Sequence, residues 1–164
     1  MQSWTDHADE NIKYYSGTAT YKKSFRLDEV VSDDQRLYLD LGEVREMARV
    51  RLNGKQLGIL WLKPFRVDIS DAARAGMNQL EIVVVNLWPN RLIGDEQFAD
   101  DRGKNRKVWP DWMDDYLQTG QRPSAQRLTF TTWKHYSKDD PLIPSGLLGP
   151  VKIRSAAVKF IPFN

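Results

Sequence analysis

The sequence predicts an all-β fold, a jelly-roll β-sandwich with one long irregular loop, and three observations carry that prediction. Apolar residues recur at every second position in several separate segments, the period of a strand with one face buried. Turn-forming residues divide these segments at short intervals, and Asn53-Gly54 stands between two of them as a hairpin signal. Helical signals are almost absent, which leaves seven or eight short strands to build a sandwich.

From residue 15 to 27 the odd positions read Tyr15, Gly17, Ala19, Tyr21, Lys23, Phe25 and Leu27, with polar residues at most even ones, as a half-buried strand requires. RLYLDLGEV repeats the pattern, with Leu37, Leu39 and Leu41 on one face and Arg36, Tyr38 and Asp40 on the other. MARVRLNGKQLGILW places Ala48, Val50 and Leu52 on one face. It turns at Asn53-Gly54, a pair that tolerates positive φ, and continues with Leu57, Ile59 and Trp61 alternating beyond the turn. Phe65, Val67 and Ile69 give a short strand after Pro64, a residue suited to a strand start or an edge. SDAARAG reads as one helical turn capped by Ser70 or Asp71 and stopped by Gly76. NQLEIVVVN is apolar on both faces, the pattern of a central covered strand. RLTFTTWKHY and PVKIRSAAVKFI supply the last two strands, and a slip of phase at residues 155–157 predicts a bulge. Residues 87–126 form the long irregular stretch, with Trp88, Trp109 and Trp112 among many charges; Trp109-Pro110-Asp111-Trp112 and residues 113–117 predict a short helix within it.

With 164 residues the chain suits a single domain spanning 1–164, and its 41% hydrophobic and 28% charged residues are those of a soluble globular protein. The net charge is only +2 and the basic residues are spread along the chain, which argues against a dedicated nucleic-acid surface. The absence of cysteine excludes disulfides, a thiolate zinc site and a cysteine nucleophile. No apolar run approaches a membrane span, and MQSWTDHADENIKYY lacks a signal-peptide core. Either the protein is cytoplasmic or the chain starts inside a longer precursor, and the second reading is favoured. Six tryptophans exceed what the core of one sandwich needs, so some are expected on a surface covered by something else.

The blocks YYSGTATYKKSF, LDLGEVREMARVRLNGKQLGILWLKPFRVDIS and NQLEIVVVNLWPNRLIGDEQ resemble the galactose-binding-like "sugar binding domain" of glycoside hydrolase family 2. With TFTTWKHYSKDDPLIPSGLLGPVKI added, the chain is similar to the C-terminal sandwich of the family 106 α-L-rhamnosidases, common in bacteria that degrade pectin. The resemblance implies a galactose-binding-like jelly roll whose catalytic carboxylates sit in a separate barrel domain. It also implies that the barrel is the partner in cis, and that the chain is an excised domain of an exported parent whose signal lies far upstream.

Asp95 and Glu96 are the first carboxylates to weigh, because glycoside hydrolysis needs two carboxyl groups facing one sugar. Adjacent residues of an extended segment point to opposite sides, so a salt bridge to Arg91 or a contact with the missing barrel is the better reading. Trp88, Asn90 and Arg91 lie just past the apolar strand and suit a sugar, since an indole packs on a pyranose face while amide and guanidinium groups bond hydroxyls. Equally, Trp88 can cover the core and Arg91 can tie down the long loop. Trp133 and His135 share one face of the penultimate strand, either as a flat platform for carbohydrate or packed under the long loop with Trp109 and Trp112, the second being favoured. Two histidines are too few for a histidine-based metal site. Asp100-Asp101, Asp114-Asp115 and Asp139-Asp140 offer oxygen donors for a structural calcium, yet none has the spacing of a calcium loop; no metal is assigned and no cofactor is expected. Lys22-Lys23 and RGKNRK at 102–107 read as local charge balance rather than a polyanion site. The functional expectation is a non-catalytic, carbohydrate-binding-like accessory domain that contacts a rhamnose-containing oligosaccharide, the catalytic barrel or both. The alternative is a purely structural buttress of the barrel.

Overall fold

Alternating segments become strands in the computed structural model, which describes residues 1–29, 34–100, 110, 112–121, 127–129, 131, 133–159 and 161–162. Asp101, the cluster at 102–107, Trp109, Asp111, Phe130 and Thr132, all invoked above, lie outside the described residues. In chain order the elements are α1 (Glu10–Lys13), β1 (Thr18–Leu27), β2 (Gln35–Asp40), β3 (Glu43–Arg45), β4 (Met47–Leu52), β5 (Lys55–Leu60), β6 (Arg66–Asp68), β7 (Gly76–Val85), α2 (Pro89–Asp95), α3 (Met113–Thr119), β8 (Gly146–Gly149) and β9 (Lys152–Ala157). Contacts divide the chain into two compact units. One comprises Met1–Ser3, Gly17–Leu87 and Pro144–Asn164; the other comprises Trp4–Ser16 and Trp88–Ile143.

The first unit is an antiparallel sandwich of the all-β kind predicted. Its four-stranded sheet runs β1-β7-β4-β5, its three-stranded sheet β6-β2-β9, and β3 pairs with β8. Leu37 and Leu39 of β2, Ala48, Val50 and Leu52 of β4, and Leu80, Ile82 and Val84 of β7 are all buried and make up much of the core. Burying each large aliphatic side chain contributes about 1.5–3 kcal/mol, which makes this alternation the chief determinant of the fold. The apolar β7 is central, between β1 and β4, in the position its composition predicts.

Asn53 and Gly54 form the two-residue link between β4 and β5 with φ of 51° and 84°. Both residues occupy the left-handed region, as a primed turn demands. Asn53 also donates through its side-chain amide to the Ala72 carbonyl (2.8 Å) and to the side chain of Asn78 (2.8 Å). Asn78, fully buried, in turn donates to the carbonyls of Arg74 and Gly76 and accepts from the Arg74 amide. Gly42 serves a different need: a Cβ there would lie 2.4 Å from the Gly149 carbonyl carbon, so only glycine lets these segments approach.

Five expectations change. The first strand begins at Thr18 rather than residue 15, because Tyr15 instead packs its ring edge-on against Trp4 at 5.7 Å. A register shift between Val50 and Arg51 turns Ile59 outward, and Trp61 beyond it is 67% exposed. The turn at residues 69–73 is closed by the Ala73 amide bonding the Ile69 carbonyl, and its polar anchor is Asp68, which accepts from the Ser70 amide and hydroxyl. The bulge predicted at 155–157 is absent: β9 keeps an unbroken register with β2 from Ala157 to Lys152. All six β9 residues are exposed at the sheet edge, so no buried face imposes alternation on them. The segment RLTFTTWKHY forms no strand among its described residues; the backbone amides of Leu128 and Thr129 bond a carboxylate instead.

Candidate functional site

The second unit is organised by α2, a helix the alternation-based reading passed over. Pro89 occupies its first turn, where the fixed φ suits the helix and the missing N–H needs no partner. Helical geometry puts Arg91 and Asp95 on one face, and the Arg91 Nη2 lies 2.9 Å from the Asp95 Oδ1. Asp95 is 0% exposed. Its carboxylate also accepts the backbone N–H groups of Leu128 (3.1 Å) and Thr129 (2.6 Å) and the Thr129 hydroxyl. Burial pushes the Asp95 carboxyl upward, but the Thr129 and Leu128 hydrogen bonds and the Arg91 charge outweigh it and hold the group below the usual carboxylate range. Asp95 is therefore an ionised internal anchor.

Two neighbours extend the anchor. Glu96 lies 2.6 Å from the Arg127 guanidinium and 3.8 Å from the Lys134 ammonium. Asn90, 3% exposed, donates to the Ile143 carbonyl (2.7 Å) and accepts from the Ile143 amide (2.8 Å), acting as a strand-like partner for that residue. The Arg91 guanidinium also stands over the Tyr14 ring at 5.9 Å. Gly94 admits that ring: a Cβ there would meet Tyr14 Cβ and Arg91 Nη2 at 2.6 Å.

The sequence-predicted residues thus fall into two groups. Asn90, Arg91, Asp95 and Glu96 come together, with Glu96 and Asp95 bound to residues 127–134, and their hydrogen-bonding capacity is directed inward. Trp88, Trp133 and His135 face outward. Trp88 is 63% exposed at the start of α2. Trp133 is 59% exposed, so it is not packed under the long loop, contrary to the favoured reading. Its indole N–H donates to the His135 Nδ1 at 3.0 Å, and the two rings lie 4.9 Å apart, tilted by 46°. Trp112 makes an edge-on contact with Tyr116 at 6.2 Å.

A hydrolytic carboxylate pair must reach a sugar together. Asp95 cannot, because its oxygens are committed to four donor groups inside the unit. Among the described residues no group of three or more histidine, aspartate or glutamate side chains could hold a metal ion. Asp140 accepts from the Ser137 amide, while Asp114 and Asp115 lie in the first turn of α3. Arg127, Thr129 and Tyr14, which complete the anchor, were not singled out from sequence. The salt bridge expected to Arg91 is present at Asp95; reading NRLIGD as helix would have exposed its i, i+4 geometry and the need for further donors.

A family profile described as the glycosyl hydrolase 2 galactose-binding domain-like family matches residues 3–120, more than two thirds of the chain. A protein of Formosa agariphila, named a β-glucuronidase, is 48% identical over 157 residues, covering 93% of this chain and 13% of that protein. The solved structure of a rhamnosidase from Novosphingobium sp. PP1Y matches with a TM-score of 0.74 and 38% identity, covering 94% of this chain and 12% of that one. The chain thus spans about an eighth of the length of each. It belongs to the glycosyl hydrolase 2 galactose-binding domain-like family.

Proposed function

We propose that the chain is a non-catalytic accessory domain of a bacterial glycoside hydrolase of the rhamnosidase type, and that it docks on the enzyme's catalytic barrel through exposed aromatic side chains. The observation that carries this reading is the division within the second unit. Asn90, Arg91, Asp95 and Glu96, which could have bonded sugar hydroxyls, are spent on internal partners, whereas Trp88 and Trp133 are left outward. Apolar aromatic surface without directional polar groups suits a protein contact better than a sugar site. In the first unit Ile59, Trp61 and Leu62 are likewise exposed. The Novosphingobium rhamnosidase, matched along 94% of the chain with a TM-score of 0.74, supports the rhamnosidase type. The Formosa protein named a β-glucuronidase matches 93% of the chain at higher identity, so aryl glucuronides belong in the same assay as aryl rhamnosides.

A second reading has its own observation. Trp133 and His135 present adjoining exposed rings, a small platform able to stack on a pyranose. Calorimetric titration with rhamnose and rhamnogalacturonan oligosaccharides separates the two. Absence of heat at millimolar sugar supports docking, whereas saturable heat lost in Trp133→Ala makes the domain a sugar binder. Release of nitrophenol from aryl rhamnosides or glucuronides by the purified chain would overturn the non-catalytic assignment itself.

A further inference from the structure

The sandwich of the first unit is open along one side, where the edge strands β1 and β9 of its two sheets border a groove of 660 Å³. The groove floor is apolar, formed by Phe25, Leu39, Ile82, Leu147, Val151 and Ile153. On β9 the side chains that share a face with Leu37 and Leu39 of β2 are Ser155 and Ile153, and both are exposed although that face points to the interior. On β1, Lys23 lies opposite the buried Leu80, so a lysine shares the inward face with Tyr21 and Phe25. Met1 also lines the groove, its terminal methyl 3.4 Å from where a Cβ of Gly149 would stand, which shows that the groove accepts an apolar side chain.

Two features define what else would fill it. Among the described residues no strand lies on the outer side of β9, so its edge is open to a further strand. Cations border the groove on both sides, with Lys22, Lys23 and Arg26 on β1 and Lys152 on β9. Lys22 and Arg26 have Glu81 and Asp28 at 3.6 and 3.9 Å, but Lys23 and Lys152 have no carboxylate within 4.0 Å among the described residues.

We propose that this seam binds an extended acidic–apolar peptide segment, which adds as a further antiparallel or parallel strand to the edge of β9. The period of two puts its apolar side chains on Phe25 and Ile153 and its carboxylates on the opposite face, where they meet Lys152, while the exposed Lys23 ammonium adds positive charge at the β1 border. Backbone bonding supplies the ladder, the groove selects apolar residues at alternate positions, and the cationic border selects acidic ones between them. This inference rests on the sandwich alone and is independent of the aromatic docking surface.

The test uses the full chain and a fluorescein-labelled synthetic nonapeptide alternating valine and glutamate, followed by fluorescence anisotropy. Saturable binding is expected, weakened about fivefold or more in the variant carrying both Lys23→Glu and Lys152→Glu. The same variant should gain affinity for a valine–lysine peptide, which also shows that it is folded. A valine–glutamate peptide with proline at its central position should bind more weakly than the parent, because proline removes a ladder N–H. Absence of binding at about 1 mM peptide, equal affinity for the valine–lysine peptide, or indifference to proline would overturn the proposal. So would sedimentation showing a dimer of the chain that the double variant abolishes, since a second copy would then be the occupant.

Discussion

Replacing Asp95 by asparagine keeps the size of the side chain and removes its charge. In the native unit the carboxylate receives the Leu128 amide, the Thr129 amide and hydroxyl, and the Arg91 guanidinium, with no exposure to water. Asparagine retains one acceptor and turns an NH₂ toward N–H donors, leaving the Arg91 charge without its counterion. Breaking a buried pair in this way costs about 3–5 kcal/mol, because the surviving charge stays uncompensated. For a chain of this size each kcal/mol moves Tm by about 2–4 °C, so Asp95→Asn should lower Tm by roughly 10 °C. Calorimetry and urea unfolding monitored by circular dichroism measure it directly. The pH dependence gives a second readout with a fixed sign. Asp95 is held below the usual carboxylate range in the folded state, so its stabilisation is complete above the unfolded value, about pH 4, and is lost as pH falls through the folded one. Wild type should therefore lose stability on acidification more steeply than Asp95→Asn. A loss under about 1 kcal/mol, or parallel acid profiles for the two proteins, would refute the anchor.

Three further substitutions probe other parts of the account. Asn90→Ala removes both bonds to the Ile143 backbone and should cost about 1–3 kcal/mol by urea unfolding; a neutral result would mean that Ile143 finds other partners. Gly42→Ala, at a φ of +67° and facing the Gly149 backbone, should cost about 2–4 kcal/mol in the same measurement, and tolerance would show that β3 and β8 can separate freely. Trp133→Ala should change stability by no more than about 0.5 kcal/mol, because the side chain is largely exposed; a large drop in Tm would show that the indole is covered.

The sandwich was readable because its strands have one buried face. In β4 the alternation Met47-Ala48-Arg49-Val50-Arg51-Leu52 maps residue by residue onto exposed and buried positions, and Asn53-Gly54 carried its own turn chemistry. Legibility ended where long-range contacts decide local structure. The β-branched and aromatic residues at 128–133 read as a strand, yet the Leu128 and Thr129 amides are claimed by a carboxylate more than 30 positions earlier in the chain. The helix α2 spans seven residues, too few for periodicity to show, and only its proline start and the Arg91–Asp95 spacing mark it. The outward turn of Ile59 follows from the register shift in the β4–β5 pair, which no local pattern announces. At the candidate site the residue types were picked out from sequence, but whether each faced inward or outward depended on partners that alternation does not reveal.

The docking assignment is tested most directly by titrating the chain into the Novosphingobium sp. PP1Y rhamnosidase from which the matching segment has been deleted. The account predicts a saturable one-to-one complex in calorimetry, weakened by Trp88→Ala and Trp133→Ala, with no hydrolysis of aryl rhamnosides by the chain alone. Turnover by the isolated chain, or a complex of undiminished affinity when both tryptophans are removed, would contradict it.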